Sequence, residues 1–212
     1  MKDLRENRRE YAAHWLRRSN LADDPLVQFQ RWFTEAVDAG IKDATAMALA
    51  TATPDGAPSV RVVLLKHFDE AGFCWYTDYR SQKGRELAAN PRAALLFHWR
   101  ELDRQVRITG TVSRLDDRAA TAYFDSRPLE SRLSAAASRQ SEPVEGRDVL
   151  EARVAELRRL HPDGRVPKPA EWGGYCLAPD GYEFWQGREG RLHDRFRFTR
   201  EGGRWVARRL QP

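Results

Sequence analysis

The chain contains little cysteine and no long hydrophobic run. Its two cysteines, Cys74 and Cys176, lie far apart in 212 residues and form no Cys-x-x-Cys pair. This spacing predicts neither a disulfide framework nor a zinc knuckle, and we expect both thiols to be buried. No segment approaches the roughly 20 consecutive apolar residues of a membrane helix, and the segment from Met1 to Glu10 is charged, without an apolar signal core. We therefore expect a soluble, cytoplasmic protein.

Two further absences concern cofactors. The sequence has no Gly-x-Gly-x-x-Gly loop, so a nicotinamide cofactor is not predicted. The histidines form neither a His-Glu-x-x-His motif nor a tight cluster along the chain; they are His14, His67, His98, His161 and His193. The sequence therefore predicts no metal site.

Lysine is scarce although the chain is basic. The net charge is +5, from 36 basic and 31 acidic residues, and only five of the basic residues are lysines. The remaining 31 are arginines, which present a planar fork where lysine presents a point charge. A mild positive excess spread along the chain suits an anionic small ligand as well as nucleic acid.

The pattern of apolar residues predicts a mainly β protein with flanking helices. With 41% hydrophobic residues, we expect one domain over residues 21–212, preceded by a helical or flexible arm over residues 1–20. Short, closely spaced strands favour an antiparallel sheet that closes toward a barrel. The predicted strands are Ala46–Thr53, Val60–Lys66, Phe73–Thr77, Ala93–Trp99, Gln105–Leu115, Tyr175–Leu177, Tyr182–Gln186, Arg195–Thr199 and Trp205–Arg209. The predicted helices are Pro25–Gly40, Ser81–Ala89, Asp116–Phe124, Leu129–Ala137 and Arg147–Leu160, with a loop over His161–Gly174.

Two segments in the first half of the chain carry candidate anion ligands. In the predicted strand at residues 61–66, period two places Arg61 on one face and Lys66 on the other. The second segment joins a strand end to a helix start at residues 81–84, where hydroxyls, a lysine and free amide groups form a setting for a phosphate. Taken alone, the first segment is also compatible with a strand that has charged ends, and the second with a capped helix.

Two segments in the second half add polar groups. Tyr123, Arg127 and Ser131 follow i, i+4 spacing and would share a helix face, although Pro128 predicts an interruption. In the last segment, Arg191, His193 and Arg195 alternate, which places three cationic or titratable groups on one strand face near Trp185.

Taken together, these motifs resemble the pyridoxamine 5'-phosphate oxidase family from about residue 22 to the end. The most specific segment is Tyr-Glu-Phe-Trp-Gln-Gly-Arg-Glu-Gly-Arg-Leu-His-Asp-Arg at residues 182–195. The resemblance implies a split β-barrel homodimer that binds FMN at the subunit interface. It also implies oxidation of pyridoxamine or pyridoxine 5'-phosphate to pyridoxal 5'-phosphate, with oxygen as acceptor and hydrogen peroxide as by-product.

The resemblance assigns site residues position by position. FMN would be bound by Arg61, Val62, Val63, Leu64, Leu65, Lys66, Tyr76, Thr77, Gln82, Lys83, Gln105, Gln140, Ser141, Trp185 and Arg195. The substrate phosphate would be held by Lys66, Tyr123, Arg127 and Ser131, with Arg191 and His193 as the catalytic pair near the pyridine ring. One departure stands out, because the family usually shows Ser-Arg-Lys where this chain has Ser81-Gln82-Lys83.

Two other functions compete with this interpretation. A sister FMN oxidase of the same fold, of the phenazine-biosynthesis type, would act on a different substrate. A basic nucleic-acid-binding domain would account for the pI near 9.5 and the seven tryptophans. Against the latter, acidic residues are interleaved with the basic ones and leave no stripe of a single sign.

Overall fold

Five α-helices flank the sheet in the part of the chain that the structure, a computed structural model, describes: Tyr11 and residues 15–212. The rest of the predicted N-terminal arm lies outside the described residues. The helices are α1 (Pro25–Asp38), α2 (Gln82–Ala89), α3 (Asp117–Ser126), α4 (Leu129–Ala137) and α5 (Arg147–Leu160). None of these described helices is long and apolar enough to cross a bilayer.

The strands of the described residues form one antiparallel sheet. They are β1 (Ala46–Ala52), β2 (Pro58–Leu64), β3 (His67–Asp69), β4 (Gly72–Asp78), β5 (Arg92–Trp99), β6 (Arg104–Arg114), β7 (Trp172–Gln186), β8 (Asp194–Glu201) and β9 (Arg204–Leu210). Their order is β2-β1-β5-β6-β7-β4-β3, and β8 joins β7 and carries β9. The first half of β7 pairs with β4 and its second half with β8, so the sheet branches at β7 and curls into a half-barrel. The prediction of a mainly antiparallel β fold with flanking helices is confirmed.

Strand β7 corrects two sequence-based boundaries. The sequence predicts separate strands at Tyr175–Leu177 and Tyr182–Gln186, yet the chain continues through residues 178–181 as one strand. The register against β6 shifts there, which makes the Pro179-Asp180-Gly181 triplet a bulge. Gly110 faces the bulge so closely that a Cβ would lie 2.1 Å from the Ala178 carbonyl oxygen. The predicted loop over 161–174 also ends earlier, since β7 begins at Trp172.

Helix α1 closes one end of the half-barrel with aromatic side chains. Its start follows the sequence signals, because the Asp24 carboxylate accepts a hydrogen bond from the Leu26 amide at 2.7 Å and Pro25 occupies the first turn. Phe29 is fully buried and packs edge-on against Phe73, with ring centroids 4.8 Å apart. Burial of one such side chain contributes about 1.5 to 3 kcal/mol, which anchors the helix to the sheet.

Helices α3 and α4, with α5 packed behind them, form a wall beside the end of β4 that lies away from α1. Helix α3 ends at Ser126, and α4 begins after Pro128, so the predicted interruption is confirmed. Helix α5 contributes no buried residue and packs mainly on α4. The wall and the N-terminus of α2 therefore enclose a cleft above β2 and β4.

Candidate active site

The cleft between β2, β4, α2 and the α3–α4 wall is a cavity of about 1080 Å³. Most of the predicted site residues line it. They are Arg61, Val62, Val63, Leu64, Lys66, Tyr76, Thr77, Gln82, Lys83, Tyr123, Arg127, Ser131, Gln140 and Ser141. Residues up to 80 positions apart in the sequence thus converge on one cavity.

The period-two prediction for β2 holds in detail. Arg61 pairs with the fully buried Leu49, so it lies on the inward face, whereas Val62 is 69% exposed. Leu65 follows on the inward side and is buried in the core. Among the residues predicted at this strand, Leu65 therefore does not line the cavity.

A buried lysine is among the residues that line the cavity. Lys83 Nζ lies 2.9 Å from Thr77 Oγ1, 3.1 Å from Ser81 Oγ and 2.6 Å from Gln140 Oε1. Ser81 also caps α2 by accepting a hydrogen bond from the Gly84 amide at 3.3 Å. Burial and the neighbouring Arg61 lower the pKa of Lys83 to about 8. The site thus holds a desolvated cation near the N-terminus of a helix, where an anion is favoured.

A second cation is held by a buried acid. The Arg61 guanidinium lies 3.4 Å from Glu86 and donates to Ser59 Oγ at 2.5 Å. Burial alone would raise the pKa of Glu86, but hydrogen bonds from Ser59, Thr51 and Gln82 and the charge of Arg61 lower it to about 2. Glu86 is therefore an anion that orients Arg61. No local sequence pattern singled out Glu86, because a single acid in a short helix usually faces solvent.

Stacked aromatic rings also line the cavity. Tyr76 stacks on Tyr123 with ring centroids 3.9 Å apart, and Trp172 lies parallel to Tyr76 at 5.6 Å. The Arg127 guanidinium lies over Trp172 at 4.8 Å. Its Nη1 atom is buried without a hydrogen-bond partner among the described residues. A buried guanidinium nitrogen without a partner is costly unless an anion joins it, and burial lowers the pKa of Arg127.

The predicted residues that do not line the cavity form a second cluster. Gln105, Trp185 and Arg195 are direct cross-strand neighbours on β6, β7 and β8. The Arg195 guanidinium donates to Glu183 Oε1 at 2.9 and 2.8 Å. The ring of His193 lies 4.6 Å from that of Trp185.

The alternation predicted for residues 191–195 is wrong. Arg191 lies in a 3-10 turn with a positive φ of 62°, and β8 begins only at Asp194. The glycines at 187 and 190 end the strand geometry before this segment, so period two does not apply. His193 still reaches Trp185 because its chain folds back, with the Arg188 amide donating to His193 Nδ1 at 3.1 Å. Burial and Arg191 lower the pKa of His193.

Tyr11 is a contact that the sequence did not indicate. Its ring packs edge-on against Trp185 at 5.9 Å and against His193 at 5.2 Å.

Among the described residues, no three His, Cys, Asp or Glu side chains converge as a metal site would require.

Comparison with known proteins then decides the family. The family model described as pyridoxamine 5'-phosphate oxidase matches residues 33–161, and the pyridoxine 5'-phosphate oxidase C-terminal dimerisation region matches residues 172–212. The chain belongs to the pyridoxamine 5'-phosphate oxidase family. The resemblance drawn from the motifs is therefore confirmed.

Individual relatives agree over full length. The pyridoxine/pyridoxamine 5'-phosphate oxidase of Rubrobacter xylanophilus is 55% identical, over 100% of this chain and 97% of the relative. That of Cupriavidus pinatubonensis is 53% identical over 100% of both chains.

Solved structures agree on the fold. PhzG from Burkholderia lata 383, in complex with tetrahydrophenazine-1-carboxylic acid, aligns with a TM-score of 0.89 at 33% identity, over 96% of this chain and 100% of that chain. A pyridoxamine 5'-phosphate oxidase-related, FMN binding protein from Nostoc punctiforme aligns with a TM-score of 0.71, over 91% of this chain and 100% of that chain. At 19% identity the latter supports the fold alone. The predicted split β-barrel is confirmed.

Proposed function

We propose that the chain oxidises pyridoxamine 5'-phosphate and pyridoxine 5'-phosphate to pyridoxal 5'-phosphate, with FMN as cofactor, oxygen as acceptor and hydrogen peroxide as by-product. One observation carries the proposal. The cavity is lined by two cationic groups with different neighbours, Lys83 with Arg61 beside Glu86, and Arg127 over Trp172. A phosphorylated cofactor bound beside a phosphorylated substrate needs two such sites. Relatives named for this activity are more than half identical over the full chain.

The first cationic site fits the FMN phosphate. Lys83 is buried and hydrogen-bonded to three neutral oxygens, so an anion would restore the solvation that burial removes. Arg61 adds a second cation, oriented by Glu86. Tyr76, Thr77, Gln140 and Ser141 line the same region and offer hydroxyl and amide groups. When bound, FMN would supply the electron acceptor for the hydride that leaves the substrate C4' carbon.

The second cationic site fits the substrate phosphate. Arg127 has an unpartnered, buried donor, and Lys66, Tyr123 and Ser131 line the cavity with it. A phosphate oxygen would satisfy the Arg127 donor with a charge-assisted hydrogen bond, worth about 1.5 to 3 kcal/mol. The Tyr76–Tyr123 stack would hold the Tyr123 hydroxyl in place. In this proposal these residues bind and orient the substrate, whose phosphate ester is not cleaved.

A homodimer would complete the site. Val62 pairs with Ala48, Ala48 with Leu96, Leu96 with Arg107, and Arg107 with Glu183, so all lie on one outward face of the sheet. Gln105 and Trp185 lie on that same face, because each is two residues from a member of this row, and Arg195 joins them as the cross-strand partner of Trp185. Exposed apolar side chains cover the β2 end of the face, with Val60 and Val62 each 69% exposed and Leu64 42% exposed.

The dimerisation region of the family covers residues 172–212, which include Trp185, Arg191, His193 and Arg195. A partner related by a two-fold axis would bring its own second cluster to this chain's cavity. Gln105, Trp185 and Arg195 would then contact the flavin from across the interface. Arg191 and His193 would contact the pyridine ring.

A sister oxidase of the phenazine type is the second candidate, and it is favoured by the TM-score of 0.89 to PhzG. The ligand named for that protein carries a carboxylic acid and no phosphate. The unpartnered donor of Arg127 and the cations around it favour a phosphorylated substrate.

Peroxide release tests the proposal. Purified protein loaded with FMN is mixed with pyridoxine 5'-phosphate, with unphosphorylated pyridoxine or with a dihydrophenazine carboxylic acid. The proposal expects peroxide with the phosphate ester and little with the other two. Turnover of the phenazine substrate alone would favour the sister function.

A further inference from the structure

Cys74 and Cys176 are the two cysteines of the chain, and they lie directly opposite each other on β4 and β7. The Cys74 carbonyl oxygen accepts a hydrogen bond from the Lys66 amide at 2.9 Å. Within a strand, the N–H and C=O of one residue point to the same side. The polar backbone groups of Cys74 therefore face β3 and not β7, which makes Cys74 and Cys176 a non-hydrogen-bonded pair.

This kind of pair matches the geometry of a disulfide. In non-hydrogen-bonded antiparallel pairs, Cα atoms lie about 4.5 Å apart and side chains approach each other. Disulfides span Cα separations of roughly 4.4 to 6.8 Å. The two thiols are close enough to influence each other, since Cys176 raises the pKa of Cys74 and Cys74 lowers the pKa of Cys176. Cys74 is 1% exposed and Cys176 is 8% exposed, so both are shielded from large reagents.

The pair also lies beside the candidate active site. Cys74 shares a face of β4 with Tyr76, two residues further on, and Tyr76 lines the cavity. The backbone of Cys74 holds the amide of Lys66, which lines the same cavity. A small oxidant generated in the cavity would arise close to these thiols.

We propose that Cys74 and Cys176 are a redox-active dithiol that hydrogen peroxide converts to an intramolecular disulfide. The source of peroxide during turnover rests on the proposed function. The thiol chemistry itself does not, because peroxide from any source would drive it.

The reaction balances as a two-electron oxidation. Cys176 Sγ attacks one peroxide oxygen, breaking the O–O bond, and the departing hydroxide takes a proton to become water. Cys74 Sγ then attacks the sulfenic sulfur of Cys176, and the second oxygen leaves as water. In total two thiols and one peroxide give one disulfide and two waters. Cys74 lowers the pKa of Cys176, which favours Cys176 as the first nucleophile, whereas Cys176 raises the pKa of Cys74.

The test uses the folded, purified protein, reduced and then exposed to a small excess of hydrogen peroxide. Samples taken over time are alkylated with iodoacetamide, digested without reductant and analysed by mass spectrometry. We expect both thiols to disappear together and a cross-linked peptide joining Cys74 to Cys176 to appear, reversed by dithiothreitol. Closing a loop of about 100 residues should also raise the Tm of the oxidised protein by about 5 °C or more.

Matched variants isolate the pair. Cys74→Ala and Cys176→Ala should each leave one thiol that forms no intramolecular bond, and the double variant should show no peroxide-dependent change in Tm. Two thiols that survive peroxide in the folded protein, or oxidation of one cysteine that stops at the sulfinic acid, would overturn the proposal. Because peroxide is added from outside, disulfide formation in a protein that fails to oxidise pyridoxine 5'-phosphate would contradict only the proposed function.

Discussion

Gln82 donates its side-chain amide to Glu86 Oε1 at 2.9 Å, at the wall of the cavity that holds Lys83. A neutral amide thus contacts the acid that orients Arg61, at the position where the family usually has arginine. The first turn of α2 consequently carries one cation fewer toward the proposed phosphate site.

Gln82→Arg should tighten FMN binding about fivefold. A hydrogen bond to a charged group contributes about 1.5 to 3 kcal/mol and a neutral one about 0.5 to 1.5, so the gain is on the order of 1 kcal/mol. Fluorescence titration of the apoprotein with FMN measures it, and the gain should shrink as salt rises. Ala88→Arg adds the same charge at an exposed position of α2 and serves as the control. Equal tightening in both variants would show a general charge effect and not a contact with the phosphate.

FMN affinity should weaken at alkaline pH through Lys83. Burial and Arg61 lower the pKa of Lys83 to about 8 in the protein without ligand. Below that pH the ammonium is present for the phosphate, whereas above it binding must first take up a proton. The dissociation constant should therefore be nearly constant around pH 7 and rise by up to about tenfold per pH unit above 8.

Glu86 cannot produce this change, since its pKa of about 2 keeps it ionised throughout. Titrations of FMN between pH 7 and 9.5 give the profile. The variant Lys83→Met should bind FMN more weakly at pH 7 and lose the rise above pH 8. If the dissociation constant of FMN still rises above pH 8 in Lys83→Met, a group other than Lys83 is responsible.

Arg127→Ala should weaken binding of the phosphorylated substrate about tenfold or more, as expected for the loss of a charge-assisted hydrogen bond. FMN affinity should change little, because Arg127 packs on Trp172, whereas Lys83 contacts Thr77 and Gln140. Steady-state kinetics with pyridoxine 5'-phosphate give the effect through KM. The control Arg118→Ala removes an exposed arginine from the preceding helix and should leave KM unchanged. If Arg127→Ala loses FMN and keeps its KM, Arg127 binds the FMN phosphate and not the substrate phosphate.

Arg191→Ala and His193→Ala should reduce turnover far more than flavin retention, whereas Arg195→Ala should release flavin.

The dimer proposal makes a further prediction about mixtures of two variants. Assayed with substrate well below its KM, Arg127→Ala and His193→Ala are each expected to lose about nine-tenths of the parent activity or more, yet a mixed dimer would contain one site free of both changes. When equal amounts of the two variants are mixed and allowed to exchange protomers, about a quarter of the parent activity should return. Failure to regain activity, with mixed dimers shown by mass spectrometry, would place each site within one protomer.

Sequence patterns predicted those features that depend on local chemistry. The helix start at Pro25, the break at Pro128 and the alternation around Arg61 follow from proline ring geometry and strand period, and the structure shows each of them. The bulge at Asp180 could not be predicted, because it depends on β6 pairing with the chain on both sides of it, which the local sequence does not show.

The site was partly predictable for a related reason. Family resemblance supplied residues that the fold then brings to one cavity, whereas period two failed at Arg191 since a glycine-rich turn precedes the strand. Glu86 and Tyr11 act through contacts between distant segments, with Glu86 reaching Ser59 on β2 and Tyr11 packing on Trp185. Spacing along the chain carries no information about such contacts.

Peroxide yield per flavin reduction tests the central claim most directly. The purified protein should show the visible absorbance of bound FMN at one flavin per chain, and this absorbance should bleach when pyridoxine 5'-phosphate is added without oxygen. Admitting oxygen should restore it with one peroxide and one pyridoxal 5'-phosphate per flavin, while unphosphorylated pyridoxine bleaches it poorly. A protein that takes up no FMN, or whose flavin is not bleached by either phosphorylated substrate, would contradict the account.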